Sequence, residues 1–294
     1  MIKRIVEISN PSFLHLKNRQ MIIEQDGLEV AQVPIEDLGV LILSHLAITH
    51  TQQLLCACWQ NNVVVVGCDE RYMPGAVLIP LDGHSLQAKT LSVQIEATEP
   101  TKKRLWAAIV KAKIREQAKV LKSVNRDAAG LLHYPAKVKS GDPENIEAQA
   151  ARIYWGRLFG ASFRRDRDDP GINAMLNYGY AVMRSAVARA VIGAGLTPAL
   201  GIHHRNQYNS FALVDDLIEP LRPLIDVKVH ELVQLSSEEP ELNPSTKREL
   251  VSVLGWNINL KDRPWPLLVA LTHYAASVRD VLAGERRDAD IPER

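Results

Sequence analysis

Residues 197–226, TPALGIHHRNQYNSFALVDDLIEPLRPLID, contain a histidine-bearing turn between two helical patterns. The long apolar helix before this turn is expected to end at Gly195 and Pro198, because both residue types terminate helices. After the turn, apolar residues recur at helical spacing and predict a second helix. Asp216 and Glu219 lie one helical turn apart on a face that adjoins the apolar one.

The turn places two adjacent histidines, His203 and His204, in front of this acidic helix. Imidazole and carboxylate groups are common ligands of divalent cations, so the segment is a candidate metal site. The same spacing also fits a solvated acidic helix face beside a histidine of the core. Spacing alone does not separate the two interpretations.

The composition is that of a globular protein, with 46% hydrophobic and 23% charged residues in a chain of 294. No charged and then apolar leader opens the sequence, which favours a cytoplasmic protein. The apolar run 174–194 includes Arg184 and Arg189, so it is expected to be a buried helix and not a membrane span. Three cysteines without CxxC spacing support neither a disulfide framework nor a zinc ribbon.

The order of the patterns predicts an α+β protein, with a small N-terminal β-domain followed by a larger all-α C-terminal domain. Short runs rich in Val, Ile and Leu come first, and Asp26-Gly27 between two of them is typical of a hairpin. Later apolar residues follow a helical period. The predicted boundaries are a β-domain over 1–80, a linker over 81–99, a helical catalytic domain over 100–284 and a flexible tail over 285–294.

The first helix of the C-terminal domain is strongly basic. Residues 102–126 contain nine Lys or Arg and a single acid, Glu116. At 100° per residue, five of these cations share one stripe, namely Arg104, Lys111, Arg115, Lys119 and Lys122. Such a stripe is a candidate for contact with DNA phosphates, although an ordinary solvated face has the same pattern. Apolar residues off the stripe are expected in the core, namely Trp106, Ile109, Val110 and Ile114.

A later helix, in the sequence ENIEAQAARIYWGRLFG, contains a carboxylate on a face that looks buried. Glu147 shares this face with Tyr154 and Leu158, and an ionised carboxylate there is costly unless a positive group meets it. Glu147 is either in an ordinary ion pair with Arg152 or Arg157, or partly exposed, or in contact with a metal ion. In the last case Glu147 is a metal ligand or an acid–base group.

A charged loop, FRRDRDDPG at residues 163–171, follows this helix and adds a second group of cations, Arg164, Arg165 and Arg167. The central helix after the loop contains Asn177, a polar residue on a helix otherwise suited to tight packing. It needs a hydrogen-bond partner and is expected to support the site from behind the metal ligands.

Three blocks of this sequence together resemble the CRISPR-associated integrase family of spacer acquisition. The blocks are NIEAQAARIYW, NAMLNYGYAVMRS and GLTPALGIHHRNQYNSFALVDDLIEPLRPLID. The upstream segment CDERYMPGAVLIPLDGH resembles the branch that accompanies a single-protein RNA-guided effector nuclease, a type II-like system. The resemblance extends over essentially the whole chain, including its length and its β-then-α order.

The resemblance implies which residues bind metal and catalyse. The family's first glutamate falls on Glu147, its histidine falls on His204 counted from Gly201, and its last acid falls on Glu219. His203 is adjacent, and the spacing favours His204. Asp216 is expected to act as an outer ligand or to hold a metal-bound water. Arg205, next to His204, is expected to bind the phosphate at the reaction centre.

The implied reaction is phosphoryl transfer, in which a DNA 3′-hydroxyl attacks a phosphodiester of a second duplex. One such bond replaces another, so no ATP is needed, and the sequence contains no GxxxxGKS-type loop. A divalent cation is needed instead, Mg²⁺ or Mn²⁺, with two glutamates and one histidine as ligands. Rival interpretations are a structure-specific metal-dependent endonuclease and a non-catalytic DNA-binding scaffold.

The resemblance also implies partners. They are double-stranded DNA, a second copy of the chain in a homodimer through the β-domain, and a small ferredoxin-like adaptation protein. The RNA-guided effector nuclease of the same system is a further expected partner.

Overall fold

The computed structural model describes residues 3–71, 73–78, 80, 84–166, 168–235 and 241–294. The chain forms two compact units, Met1–Ser85 and Leu86–Arg294. The first is built mainly of strands and the second mainly of helices, which confirms the predicted α+β class. The described residues include no helix whose length and hydropathy would suit a lipid bilayer.

The described residues of the N-terminal unit form eight strands and one helix. They are β1 (Arg4–Ile8), β2 (Phe13–Lys17), β3 (Gln20–Gln25), β4 (Leu28–Pro34), β5 (Leu38–Leu43), β6 (Thr49–His50), α1 (Gln52–Gln60), β7 (Val64–Cys68) and β8 (Pro74–Leu78). One sheet has the order β1-β5-β7-β8, with β8 antiparallel to its neighbour, and the other has the order β4-β3-β2-β6. The predicted hairpin joins β3 and β4, where Asp26 and Gly27 have φ of 50° and 77°. Strand β7 is parallel to β5, and its successive residues Val64, Val65 and Val66 are all buried, as a strand covered on both faces requires.

In the C-terminal unit, the part of the chain that the structure describes forms ten α-helices and a small hairpin. They are α2 (Gln87–Glu96), α3 (Glu99–Ser123), α4 (Ala129–Leu132), α5 (Tyr134–Lys137), α6 (Ile146–Leu158), α7 (Ile172–Gly193), α8 (Ala212–Leu217), α9 (Arg222–Leu235), α10 (Pro244–Ser252), β9 (Asn257–Leu260), β10 (Arg263–Pro266) and α11 (Leu267–Leu282). A 3₁₀ turn, Glu219–Leu221, lies between α8 and α9. The antiparallel pair β9–β10 means that the unit is not all-α as predicted.

Helix α3 is the long element against which the others pack. Thr98 caps it by accepting a hydrogen bond from the amide of Thr101. The apolar residues predicted for its inner face are buried, namely Trp106, Ile109, Val110 and Ile114. This face contacts α6, α9 and the 3₁₀ turn, so α3 lies between the segments that contain Glu147 and Glu219.

Helices α7 and α9 approach closely at a glycine. A Cβ at Gly179 would lie 2.4 Å from Cγ2 of Ile225, so no larger residue fits without moving α9. Because α9 begins directly after the 3₁₀ turn, this contact also helps to fix the position of Glu219.

Two predicted boundaries differ from the structure. Most of the predicted linker 81–99 is helix α2, and residues 81–83 lie outside the described residues. The Gln94 side chain of α2 donates hydrogen bonds to the carbonyl oxygens of Thr197 and Leu200, and it accepts one from the Thr197 amide. The helix therefore holds the segment that leads into the histidine turn.

The predicted flexible tail, 285–294, is attached to the body of its unit. Glu293 exchanges two backbone hydrogen bonds with Asn259, and its carboxylate pairs with Lys119 at 3.0 Å. The amide of Arg294 donates to the carboxylate of Glu116. A segment poor in apolar residues is thus held by long-range polar contacts, which its own composition does not reveal.

Candidate active site

Glu147 lies in the first turn of α6, where two side chains fix the backbone. Asn145 adopts the left-handed conformation at the cap, and its side chain accepts from the amide of Ala148. The carboxylate of Asp142 accepts from the amides of Ile146 and Glu147, at 2.9 and 3.0 Å. These caps satisfy the free amides of the helix end, so the Glu147 carboxylate is free to make contacts elsewhere.

Glu219 begins the 3₁₀ turn between α8 and α9. It is 7% exposed, and Pro220 follows it directly. Proline lacks a backbone N–H and fixes its own φ, so the chain changes from α8 to a tighter turn at this point. The Glu219 side chain consequently points into the unit, where α3 passes.

Glu147 and Glu219 meet at one cation, Lys113 of α3. Its ammonium group donates a hydrogen bond to Oε1 of Glu147 and another to Oε2 of Glu219. The other oxygen of Glu219 accepts from Nε of Arg222 at 2.9 Å. The positive partner that Glu147 requires is therefore Lys113, and not Arg152 or Arg157.

The four charges stabilise one another in their ionised forms. Burial alone would raise the pKa of Glu219, but the positive charges of Arg222 and Lys113 lower it to about 2. Burial alone would lower the pKa of Lys113, and the Glu219 and Glu147 carboxylates outweigh that effect and raise it. Glu219, Lys113 and Arg222 are thus held in their charged forms at neutral pH.

The histidine turn is organised by Asp216, which is fully buried. Its Oδ2 accepts from the amides of Ile202 and His203, at 2.6 and 2.9 Å. Its Oδ1 accepts from the amide of His204 at 3.2 Å and shares a hydrogen bond of 2.6 Å with Nδ1 of the same residue. A Cβ at Gly201 would lie 2.3 Å from the carbonyl oxygen of His204, so this tight turn requires glycine.

The predicted role of Asp216, that of an outer ligand or of a residue that holds a metal-bound water, stays a prediction. In the structure, both of its oxygens accept hydrogen bonds from the histidine turn. It acts on the site by orienting His204. A carboxylate that fixes one ring nitrogen in this way leaves the other available, an arrangement common among metal-binding histidines.

The two histidines have different surroundings. The ring of His203 stacks on Trp106, with centroids 4.2 Å apart and an interplanar angle of 1°. Burial lowers the pKa of His203. The hydrogen bond that the His204 ring donates to Asp216 raises the pKa of His204, and the charge of Glu219 adds to this rise.

The structure brings Glu147 and Glu219 together around Lys113 and places His204 within the electrostatic reach of Glu219. No three His, Cys, Asp or Glu side chains among the described residues form a group ready to hold a metal. Convergence of Glu147, His204 and Glu219 on one ion therefore stays a prediction.

A polar cavity of about 570 Å³ opens beside His204. Three arginines line it, Arg165, Arg184 and Arg222, together with Asn177, Tyr180, Ala181, Asn206, Tyr208, Asn209, Asp215 and Ile218. Arg165 donates a hydrogen bond to the Asn177 side chain at 2.5 Å. Asn177, which the sequence predicts to support the site, therefore orients one of the arginines that line the cavity. Arg184 pairs with Asp215 at 2.6 Å. Guanidinium and amide donors around one cavity suit a phosphate-bearing ligand.

The residues predicted to contact DNA have varied surroundings. On α3, Arg104, Arg115 and Lys122 are exposed, Lys111 is half-buried, and Lys119 is paired with Glu116 and Glu293. In the charged loop, Arg164 donates to carbonyl oxygens of its own segment, while Arg167 lies outside the described residues. Arg205 is paired with Glu99 at the start of α3 and so is not free to bind a phosphate without releasing that contact.

Residues 6–241 match the family model for CRISPR associated protein Cas1. The chain belongs to the Cas1 family. It is 39% identical over 279 residues to the CRISPR-associated endonuclease Cas1 of Neisseria meningitidis serogroup C (strain 8013), a match that covers 94% of this chain and 91% of the relative. The resemblance seen in the three sequence blocks is thereby confirmed, and with it the general function, a nuclease or integrase of CRISPR adaptation.

Solved structures share the Cas1 fold with this chain. A casposase bound to its integration product has a TM-score of 0.75 at 20% identity, covering 99% of this chain and 93% of the casposase. A chain of a Cas6-RT-Cas1–Cas2 complex has a TM-score of 0.74 at 17% identity, covering 97% of this chain and 35% of the other. At these identities the similarity concerns the fold alone.

Sequence reasoning missed two residues of this Cas1 site, Lys113 and Arg222. Lys113 is one of the cations of α3, but it follows Arg104 by nine residues and so lies about 180° from the basic stripe. It falls in the middle of the buried face, beside Trp106 and Ile109. A lysine in that position requires a carboxylate partner, and this signal is present in the sequence. Arg222 lies three residues after Glu219, at the spacing of a helical ion pair.

Proposed function

We propose that this Cas1-family chain joins the 3′-hydroxyl ends of a short captured DNA duplex into the repeat array by transesterification. Glu147, His204 and Glu219 hold a divalent cation, Mg²⁺ or Mn²⁺, and are the catalytic residues. The observation that supports this most is the meeting of two carboxylates, from α6 and from the turn before α9, at one positive group beside an oriented histidine.

The donor set suits such a cation. The ammonium of Lys113 stands in for it, since its contacts with Glu147 and Glu219 mark a place where a positive centre is stabilised. Carboxylate oxygens are hard ligands that suit Mg²⁺ and Mn²⁺, and a histidine nitrogen tilts the preference toward Mn²⁺. When bound, the cation activates the attacking hydroxyl and offsets negative charge at the phosphate.

The chain's own residues position the substrate. Asp216 fixes the ring of His204, and Arg222 fixes one oxygen of Glu219. The arginine-lined cavity beside His204 binds phosphates of the strand whose end reacts. The exposed cations of α3 bind the duplex along its backbone, because captured DNA has no fixed sequence and contacts must go to phosphates.

The wider assembly is also a proposal. We expect a homodimer through the N-terminal β-unit and a complex with the small ferredoxin-like adaptation protein, in association with the RNA-guided effector nuclease. One protein of this fold was solved as part of a complex that includes Cas2, which supports a partner of that kind.

Purified protein tests the reaction directly. It is incubated with Mn²⁺ or Mg²⁺, a short duplex with 3′ overhangs and a supercoiled plasmid that contains repeats. Joining of the duplex to the plasmid is the expected result, and a Glu147→Gln variant serves as the control. Nicking without joining would indicate the structure-specific endonuclease. Binding without any change in the DNA would indicate the non-catalytic scaffold.

A further inference from the structure

The cation between the two glutamates belongs to the protein itself. Lys113 is 8% exposed, and its ammonium contacts one oxygen of Glu147 and one of Glu219. An isolated pair of carboxylates would be strongly destabilising at this depth, because nearby like charges in a poorly solvated place repel. The lysine therefore has a defined function before any metal arrives, which is to neutralise the pair.

We infer that Lys113 is the resident counter-cation of the metal site, and that a divalent cation enters by displacing its ammonium from Glu147 and Glu219. This inference rests on the proposed function, because it takes the same two glutamates as metal ligands. It adds that the affinity for metal is set by a competition with a side chain of the same protein.

Competition follows from the shared oxygens. The oxygens that accept from Lys113 are the ones that face the centre of the cluster, since the second oxygen of Glu219 is bonded to Arg222. A metal ion and an ammonium cannot occupy the same small space between two carboxylates. The divalent ion has twice the charge of the ammonium, so it can replace the ammonium when its concentration is sufficient.

The displaced ammonium group of Lys113 can move toward solvent. The Glu147 side chain is 27% exposed whereas that of Glu219 is 9% exposed, so the cluster opens toward solvent on the Glu147 side. Lysine has a flexible four-carbon stem, and a small rotation of this stem moves the ammonium toward water.

The charge balance changes when the ion is exchanged. Without metal, Lys113 and Arg222 offset Glu147 and Glu219, so the formal sum is +2 − 2 = 0. A bound divalent ion brings the sum to +2 if both basic residues stay charged. This excess favours an anionic ligand, so metal-bound protein offers the DNA phosphate a positive site that metal-free protein lacks.

The test compares two lysines of the same helix. Lys113→Met removes the proposed competitor. Lys119→Met is the matched control, since Lys119 also contacts two carboxylates, Glu116 and Glu293, which the proposed site does not use. Isothermal titration with Mn²⁺ alone, and thermal unfolding with EDTA or with Mn²⁺, give readouts that do not depend on activity.

We expect Lys113→Met to unfold at a lower temperature than wild type in EDTA, and to bind Mn²⁺ at least about tenfold more tightly. Addition of Mn²⁺ should raise the unfolding temperature of this variant by more than it raises that of wild type. Lys119→Met should lower the unfolding temperature and leave the Mn²⁺ affinity unchanged. Lys113→Arg keeps the positive charge, and it should bind Mn²⁺ no more tightly than wild type. This variant also provides a result if the methionine variant does not fold.

Two results would overturn the inference in different ways. If wild type binds Mn²⁺, Glu219→Gln abolishes the binding, and Lys113→Met binds with equal or lower affinity, then Lys113 does not compete although the metal site is correct. If neither wild type nor Lys113→Met binds Mn²⁺, the proposed metal site itself is wrong, and the inferred competition between Lys113 and the metal is wrong too.

Discussion

Two buried carboxylates, Glu219 and Asp226, lie seven residues apart along the chain, and their pKa values shift in opposite directions. We call the first region the lysine cluster (Lys113, Glu147, Glu219, Arg222) and the second the tyrosine cluster (Tyr154, Tyr180, Asp226). In the lysine cluster two cations lower the pKa of Glu219 to about 2. In the tyrosine cluster, burial raises the pKa of Asp226 to about 7 although Tyr154 and Tyr180 both donate to it.

Helices α6 and α9 contribute residues to both regions. Helix α6 contributes Glu147 to the lysine cluster and Tyr154 to the tyrosine cluster. These two residues are again seven positions apart, which is about two helical turns, so the clusters lie next to each other along the helix axis. Arg222 connects them, because its guanidinium lies 4.6 Å from the ring centre of Tyr180 while its Nε binds Glu219. Similar burial thus accompanies pKa shifts in opposite directions, and the partners decide which carboxylate is kept fully ionised.

The largest expected effect is a difference in strand-joining activity between a variant of the lysine cluster and a variant of the tyrosine cluster. Glu219→Gln should reduce metal-dependent strand joining by more than about a thousandfold, because it removes a proposed metal ligand and its charge. Asp226→Asn should reduce joining by less than about tenfold, since the amide can accept from one tyrosine hydroxyl and donate to the other. The measurement is the rate of joining of a labelled duplex to plasmid, with duplex binding as the control. Equal losses in the two variants would mean that the tyrosine cluster belongs to the reaction centre.

The next largest effect is a difference between the two clusters in how their contribution to stability depends on pH. The pKa of Asp226 rises from 3.8 to about 7 on folding, so its contribution to stability is present below pH 3.8 and is lost as the pH rises through 7. Glu219 behaves oppositely, because its pKa falls from 4.5 to about 2 and its contribution is lost as the pH falls through that value. Asp226→Asn should therefore gain stability relative to wild type between pH 5 and pH 8, by up to about 3 kcal/mol.

Urea unfolding at pH 5, 6, 7 and 8 measures this change, with Tyr274→Phe as a control that removes a buried hydroxyl but no acid. A difference between Asp226→Asn and wild type that stays constant over this range would show that Asp226 is ionised in the folded protein, as Glu219 is.

Local patterns in the sequence are sufficient for most of the fold. The Asp26-Gly27 hairpin and helix α7 follow from signals within a few residues. The prediction of a flexible C-terminal segment is wrong because what holds this segment is distant, as in the contact of Glu293 with Lys119, 174 residues away. Its composition contains no trace of that partner.

The candidate site also depends on contacts between residues that are far apart in the sequence, which local patterns do not reveal. Glu147 and Glu219 are identified through the resemblance of whole blocks, because each acid taken alone also fits an ordinary surface or ion pair. Lys113 escapes sequence reasoning since its partners are 34 and 106 residues away, beyond any helical spacing. The tyrosine cluster could not be foreseen either, because Tyr180 and Asp226 are 46 residues apart and each fits an ordinary position in a helix.

A smaller effect concerns the two histidines beside the lysine cluster. His204→Ala should reduce strand joining about tenfold more than His203→Ala, because a carboxylate orients the ring of His204 while His203 stacks on Trp106. Joining rates and Mn²⁺ affinity of both variants are measured side by side. Equal losses in rate and in affinity would contradict the assignment of His204 as the ligand.

The smallest effect extends the comparison from the buried Lys113 to the cations of the basic stripe of α3. Lys111 lies two residues from Lys113 but belongs to the basic stripe, and neither it nor Arg115 has a carboxylate partner among the contacts of the described residues. A double substitution, Lys111→Ala with Arg115→Ala, should weaken duplex binding several-fold and to the same degree for unrelated sequences. The slope of log affinity against log salt should become shallower by about 0.9 for each phosphate that the variant no longer neutralises.

Fluorescence anisotropy with two unrelated duplexes at several salt concentrations measures this slope. Lys261→Ala with Arg263→Ala is the matched control, because it removes the same charge from the exposed hairpin β9–β10. A slope reduced in the first variant and unchanged in the second assigns the stripe to the DNA. If both variants keep the wild-type slope and affinity, the stripe is a solvated face. The cations of α3 that matter for function would then be buried ones such as Lys113, whose partners are carboxylates and not phosphates.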